Sequence, residues 1–300
     1  MKIIVFGGSG FVGSHLADKL TEAGHEVTIF DLNPSAYLQE SQRFIQGNIL
    51  DQKRVIEALE GQEIVYHFAG LADIDEAMAK PIETVQANVL GTVNLLEAAR
   101  QVEVKRFIFA STIYVYSDSG GFYRASKQAC ELYIEEYQRL FGLNYSILRY
   151  GTLFGRRADK NNSVHRYLSQ ALFERKISIQ ANGDEMREYI HVEDAARASV
   201  QILDEEYKNQ NIILTGHHPM RFRDLLNMIR EIVGEDVVIE YLPVDGGPSL
   251  AHYNLTPYTF RPKIGKKLVS HYYLDMGQGL VDCLDEIYHS SREGIEGANG

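Results

Sequence analysis

The stretch STIYVYSDSGGFYRASKQACE, residues 111–131, gathers side chains that can handle protons. Tyr123 and Lys127 stand four residues apart, and Thr112 lies eleven positions before Tyr123. On a helix, one turn brings Tyr123 and Lys127 to the same face. An ammonium beside a phenol favours the phenolate, drawing a group of ordinary pKa about 10 toward working pH. Such a phenol can take the proton of an alcohol, with the Thr112 hydroxyl bonding that alcohol or relaying its proton. The same spacing also suits a buried strand followed by an ordinary amphipathic helix. The surrounding elements must decide between the two.

The chain has 300 residues, enough for one large α/β domain or a main domain with a smaller partner. Its 45% hydrophobic and 24% charged residues are those of a soluble globular enzyme. A net charge of −11 argues against a nucleic-acid partner, which needs a basic face. It leaves a small phosphorylated ligand open, since two or three local donors suffice for one. The two cysteines, Cys130 and Cys283, have neither metal-type spacing nor a disulfide framework, consistent with a reducing compartment. The apolar run in MKIIVFGGSG is too short for a signal peptide and nothing approaches a membrane span, so a cytoplasmic protein without a membrane partner is expected.

KIIVF, HEVTIFD, RFIQGN, EIVYHFAG, KRFIFAS and LNYSILRYG read as short buried strands. Between them, LDQKRVIEALEG, IETVQANVLGTVNLLEAARQ and YRASKQACELYIEEYQRLFG carry helical periodicity. This alternation predicts an α/β fold with a doubly wound parallel sheet (Rossmann). Regularity breaks after residue 151. The expected division is a nucleotide-binding domain over 1–151 plus about 189–216, with a smaller C-terminal α/β domain over about 152–188 plus 217–300. The small, polar last ten residues are expected to be poorly ordered.

The first strand runs straight into FGGSGFVGSHL, with glycines at 7, 10 and 13. Glycine permits a tight turn and lets the backbone N–H groups of a helix N-terminus approach a pyrophosphate. Gly7, Gly10, Phe11, Val12 and Gly13 are therefore candidate cofactor contacts. Asp31 ends the second strand, with Asn33 just beyond. A carboxylate there accepts hydrogen bonds from the adenosine ribose and repels a 2′-phosphate, favouring NAD over NADP.

The spacing GxxGxxG resembles the extended short-chain dehydrogenase/reductase family, in particular its NAD-dependent nucleotide-sugar epimerases and dehydratases. The resemblance extends over nearly the whole chain. QGNIL is similar to the segment that reads adenine, implying an Asn48 hydrogen bond and Ile49 packed on the ring. HFAGLAD resembles the strand end lining pyrophosphate and nicotinamide ribose, implying Phe68, Ala69 and Gly70, with Ala72 where some members carry a lysine. NVLGTVNLLEA resembles a helix in which Asn88 faces the cofactor, although packing explains Asn88 and Gly91 equally well. By the same resemblance Thr112, Tyr123 and Lys127 are the catalytic residues, Tyr123 and Lys127 also touching NAD. The resemblance also implies a cofactor contact from Tyr150, with Gly151 in place of a bulkier residue beside the nicotinamide.

On the substrate side, LRYGTLFGRR implies a contact from Thr152, and GDEMREYIHVEDAA implies that Arg187 clamps a diphosphate through paired guanidinium donors. His191 reads as structural. A second phosphate clamp falls near His252, Arg261 or Lys263, none of which matches the family pattern. GHHP at 216–219 has no third ligand at suitable spacing, so no metal is expected. Helices 83–100 and 123–141 resemble a homodimer interface, with Leu95, Leu132 and Ile134 able to serve it or to pack within one chain.

The residues after Thr112 bear on the reaction. Family dehydratases carry an acidic pair there and decarboxylases usually a glutamate. Ile113 and Tyr114 provide neither, which disfavours both chemistries. The resemblance then implies an epimerase acting on a nucleotide-diphosphate sugar, at C4 through a transient 4-keto sugar. The alternatives are a 4-keto reductase or dehydrogenase with the same residues, or a non-catalytic NAD-sensing protein. Only ten residues separate Thr112 from Tyr123, against twenty or more in typical epimerases, so a more open sugar site, or one closed by another segment, is expected.

Overall fold

A computed structural model describes residues 1–242, 266–269 and 272–296. His252, Arg261 and Lys263 lie outside the described residues. The main sheet is assembled from β1 (Lys2–Phe6), β2 (Glu26–Asp31), β3 (Arg43–Gln46), β4 (Ile64–His67), β5 (Arg106–Thr112) and β6 (Tyr145–Tyr150). The central strands β1, β4 and β5 are buried on both faces, so they read as nearly continuous apolar runs rather than alternating ones, whereas the edge strand β3 is largely exposed. A short β7 (Thr152–Phe154), β8 (Lys176–Ile179) and β9 (Met186–His191) follow, then β10 (Gln210–Leu214), β11 (Pro219–Arg221), β12 (Val238–Tyr241) and β13 (Lys266–Lys267).

The helices are α1 (Phe11–Glu22), α2 (Gln52–Leu59), α3 (Ile74–Ala79), α4 (Pro81–Thr84), α5 (Gly91–Gln101), α6 (Gly121–Phe141), α7 (Ser163–Ser169), α8 (Val192–Gln201), α9 (Phe222–Val233) and α10 (Met276–Glu296). A π-helical turn, Val85–Leu90, interrupts the expected continuous helix between α4 and α5.

The sheet order β13-β10-β6-β5-β4-β1-β2-β3 is parallel throughout. Strand order reverses between β1 and β4, which opens a crevice at their carboxyl ends. One layer, α2, α5 and α6, packs through Leu95, Leu96, Cys130 and Ile134. The other, α1 and α8, packs through Leu16, Leu20, Ala195 and Ile202. A third core around Phe154, Leu168, Phe222, Leu226 and Leu280 joins α7, α9 and α10 with two small sheets, β11-β9-β7 and β12-β8. The C-terminal part returns β13 to the main sheet, beside β10.

Leu95 and Ile134 are core residues and only Leu132 of that trio is presented outward. Of the last ten residues, 291–296 continue α10, which is anchored by Leu280, Cys283 and Ile287, and 297–300 lie outside the described residues. No helix among the described residues is long and apolar enough to cross a membrane.

Candidate active site

The glycine turn is fixed by backbone packing. Gly7 has φ +79°, and a Cβ there would lie 2.4 Å from the Ala69 nitrogen. A Cβ on Gly13 would lie 2.2 Å from the Gly7 carbonyl oxygen. At Gly10 only that carbonyl lies within 4 Å of such an atom, so the turn is open on this side. Gly10 is the N-cap of α1, no side chain caps it, and the first helical bond is Ser14 N–H to the Gly10 carbonyl. The N–H groups of Phe11, Val12 and Gly13 thus have no helical acceptors and can meet an anion. Gly13→Ala is expected to weaken NAD binding about 5- to 150-fold, because overpacking costs about 1–3 kcal/mol at a turn that cannot yield. Nicotinamide content after gel filtration measures this.

At the end of β2, the Asp31 carboxylate accepts Ser9 N–H at 3.0 Å and Asn33 N–H at 3.4 Å. The Ser9 hydroxyl donates to the Asn33 carbonyl at 2.7 Å. Asp31 is oriented by these bonds and, half-buried, keeps lone pairs for ribose hydroxyls. Asn48 is exposed, and its Oδ1 accepts Leu50 N–H at 2.9 Å, which leaves one lone pair open. The turn, the N-terminal amides and this carboxylate fit a dinucleotide.

Three expected cofactor contacts also have partners within the protein. Ile49 is buried in the core, its side chain pressed over Gly91, where a Cβ would sit 2.4 Å away. Tyr150 turns its hydroxyl onto Ser199 at 2.6 Å, in the layer toward α8, and packs its ring beside Phe68. Asn88 spends its side chain inside the protein. Its Oδ1 accepts Leu71 N–H at 2.7 Å, and its Nδ2 donates to the Leu71 carbonyl and the Ser126 hydroxyl. Asn88 therefore braces the loop after β4. Gly70, at φ +145°, passes so close that a Cβ would lie 2.6 Å from the Asn88 Oδ1. Phe68 and Ala69 both donate their N–H groups to the Phe6 carbonyl, holding this loop against β1.

Thr112, Tyr123 and Lys127 come together at the end of β5 and the start of α6. Tyr114 N–H donates to the Thr112 Oγ1 at 3.2 Å, and Thr112 hydrogen-bonds the Tyr123 phenol. Lys127 Nζ donates to the Ala110 carbonyl at 2.8 Å and lies 5.8 Å from the Tyr123 ring centroid. Burial pushes the Tyr123 phenol up to about 12, with the Thr112 bond acting against it. This differs from the expectation based on spacing: without ligand, burial is the larger influence and favours the phenol. Burial likewise pushes Lys127 down to about 8, while Cys130 and Glu131 pull upward.

The Lys127 shift makes a stability prediction for the cofactor-free protein. Its folded pKa lies below the ordinary 10.5, so between about pH 8 and 10 the unfolded chain binds more protons. Stability of the wild type relative to Lys127→Met should rise with pH in this window, by up to about 1.4 kcal/mol per unit. Urea titrations of both proteins at several pH values measure it.

The ten-residue link closes compactly. Ile113–Tyr116 form one 3-10 turn capped by Thr112. Ser117 Oγ accepts Ser119 N–H, and Arg124 and Gln128 of α6 donate to the Ser117 and Val115 carbonyls at 2.8 and 2.9 Å. Gly120 and Gly121 then take φ +95° and +49°, a pair of left-handed residues that turns the chain into α6. Ile113 is buried with Val115, Tyr116 and Ile213, whereas Tyr114 is half-buried.

Beneath this site lies a charged network that pattern reading missed. Glu131 accepts Arg149 Nε and Nη2 at 3.0 and 2.7 Å and the Ser111 hydroxyl at 2.6 Å. Arg149 also donates to the Tyr116 hydroxyl. Ser126, donating to the Tyr123 carbonyl at 2.7 Å, was missed as well. The available signals were a carboxylate four residues after Lys127 and an arginine inside an otherwise apolar strand.

On the other side, Thr152 starts β7 and Arg187 lies on the neighbouring β9. Arg187 is buried, its guanidinium 5.1 Å from the Phe222 ring centroid, so it is no surface ion-pair residue. Gly151 is required by packing: a Cβ would approach Thr215 Cγ2 at 2.9 Å. His191 caps α8, accepting Glu193 N–H on Nδ1, and burial lowers its pKa. Among the described residues, no cluster of histidine, cysteine and carboxylate side chains could hold a metal ion.

A glycine-turn dinucleotide crevice beside a Thr–Tyr–Lys constellation defines a nicotinamide-dependent enzyme. The model of the NAD dependent epimerase/dehydratase family matches residues 3–215, and the chain belongs to that family, with NAD as its cofactor. A UDP-glucose 4-epimerase of Klebsiella pneumoniae is 42% identical over 130 residues, 39% of this chain and 94% of that one. A UDP-N-acetyl-alpha-D-glucosaminuronate decarboxylase of Bacillus cytotoxicus is 28% identical over 270 residues, 81% of this chain and 84% of that one. In fold, the UDP-glucose 4-epimerase of Thermotoga maritima, solved with UDP-glucose, superposes with a TM-score of 0.83 at 24% identity, covering 97% of this chain and 99% of that one.

Proposed function

We propose that the protein is a nucleotide-diphosphate-sugar 4-epimerase that retains its NAD and works through a transient 4-keto sugar. The observation carrying this reading is a hydroxyl, phenol and ammonium constellation with no uncommitted carboxylate beside it among the described residues. Ile113 and Tyr114 follow Thr112, and the nearby Glu131 has both oxygens engaged by Arg149 and Ser111. Elimination of water needs a further acid and base, which these residues do not supply.

Bound NAD supplies a hydride acceptor and donor at the sugar carbon. Tyr123 takes the proton of the C4 hydroxyl and later returns it. Thr112, its Oγ1 already accepting Tyr114 N–H, donates its own proton to the Tyr123 oxygen and so favours the phenolate. Lys127, held by the Ala110 carbonyl, adds positive charge beneath that ring. Gly7, Gly10, Phe11, Val12, Gly13, Asp31, Asn33, Asn48, Phe68, Ala69 and Gly70 form the cofactor cradle. Thr152 and Arg187 hold the substrate from the smaller domain, over about 152–188 and 217–300, with Arg187 on the diphosphate.

The reading includes a cytoplasmic homodimer. Both cysteines are free, as a reducing compartment requires. On α6, Leu132, Tyr133, Leu140 and Phe141 are exposed, Leu132 to 61%. Leu132→Glu is expected to convert a dimer into a monomer in light scattering, without loss of fold.

Purified protein incubated with a panel of nucleotide sugars and no added cofactor tests the activity. Epimer formation without a net change in nicotinamide absorbance is expected. Activity only with stoichiometric nicotinamide consumption would favour a 4-keto reductase or dehydrogenase built on the same residues.

A further inference from the structure

The segment 32–42 leaves the Asp31 carboxylate and runs outside α1 toward β3. None of its residues before Gln42 is buried, so it has no apolar core of its own. It is held by polar anchors. Ser9 binds the Asn33 carbonyl and Gln46 the Leu32 carbonyl, at 2.7 and 2.8 Å. Gln39 and Gln42 both donate to the Asp18 Oδ1 on α1, at 2.7 and 3.2 Å. A segment with so little burial opens at low free-energy cost, so each anchor counts.

One further anchor comes from the other side of the molecule. Arg157 follows β7, the strand that begins at Thr152. Its Nη2 donates to the Asp18 Oδ2 at 2.8 Å, and its guanidinium lies over Tyr37 at 4.2 Å from the ring centroid. Its backbone N–H donates to Glu286 of α10 at 2.7 Å. Arg157 has φ +64°, a conformation that a non-glycine residue keeps only when its surroundings impose it. These groups line a polar cleft of about 340 Å³, together with His15, whose Nε2 meets the Arg156 carbonyl at 3.0 Å.

We infer that Arg157 is a positioning residue that latches segment 32–42 across the adenosine end of the cofactor crevice and slows release of NAD. The inference rests on the cofactor-retaining reading above. When the segment lifts, Asn33 leaves with it and the wall beside Asp31 opens. Arg157 ties that wall to the strand carrying Thr152, so the latch spans from the cofactor side to the substrate side. Internal return of a hydride requires the same cofactor molecule to remain through turnover, which a slow release secures.

The test is the rate at which NAD leaves the holoenzyme on dilution into an NAD-scavenging enzyme. Arg157→Gln removes the charged hydrogen bond and the stacked cation, and should release NAD about tenfold faster or more. Its KM for added NAD should rise, with kcat restored at saturating NAD. Tyr37→Leu removes only the stack and should accelerate release by a smaller factor, and it decides the matter if Arg157→Gln does not fold. An unchanged release rate in the folded variants overturns the latch, as does a kcat loss that NAD does not rescue. Epimer formation by the wild type is scored in the same samples. Slow release without epimer would sink the epimerase reading and leave the latch standing.

Discussion

Tyr123→Phe lowers turnover roughly 10²- to 10⁴-fold, the range that positioned proton transfer contributes, while NAD binding and fold persist. The substitution deletes one oxygen, the one hydrogen-bonded by Thr112. The ring remains in place, with Lys127 beneath it and the Ser126 hydroxyl on its backbone carbonyl. Nothing in the glycine turn or around Asp31 touches that oxygen, so nicotinamide content should match the wild type. Thr112→Val should fall in the same direction by a smaller factor, because it removes the donor that favours the phenolate and also frees Tyr114 N–H. A Tyr123→Phe protein with undiminished turnover would remove Tyr123 from the chemistry.

Arg149→Leu destabilises the protein by about 3–5 kcal/mol, because it leaves the Glu131 carboxylate buried without its partner. Arg149 is 3% exposed and Glu131 7%, so water cannot replace the lost guanidinium. The Ser111 hydroxyl is a single neutral donor and cannot balance the charge. Removing both partners, as Glu131→Leu with Arg149→Leu, should recover most of the loss, since a buried pair roughly breaks even against an apolar replacement. Urea midpoints measure both. Activity should fall further than stability in the double variant, because Ser111 precedes Thr112 and Tyr116 closes the 3-10 turn after it.

Constraints that act between near neighbours in the chain are legible in the amino-acid sequence. The glycine turn is readable because Gly13 meets Gly7 only six residues away. The approach of Thr112, Tyr123 and Lys127 follows from a strand end and one helical turn. Asn88 is different. Its partners, Leu71 and Ser126, lie 17 and 38 residues away, and nothing in the helical pattern marks an amide as a brace. The Glu131–Arg149 pair and the Tyr150–Ser199 bond have the same cause, a polar partner supplied by another element. The pairing of β8 with β12 joins strands some sixty residues apart that are too short to announce themselves. The Tyr123 phenol illustrates a further limit. Spacing shows an ammonium nearby but carries no measure of burial, and burial is the larger influence. The short link is legible as a count, whereas its closure depends on two left-handed glycines in succession.

The most direct measurement uses a nucleotide hexose deuterated at C4, incubated with enzyme carrying only its own NAD. If the hydride leaves C4 and returns to the same carbon, the epimeric product keeps its deuterium at C4 through many turnovers. Product without deuterium at C4, or conversion that stops after one equivalent of reduced nicotinamide per active site, would contradict the account.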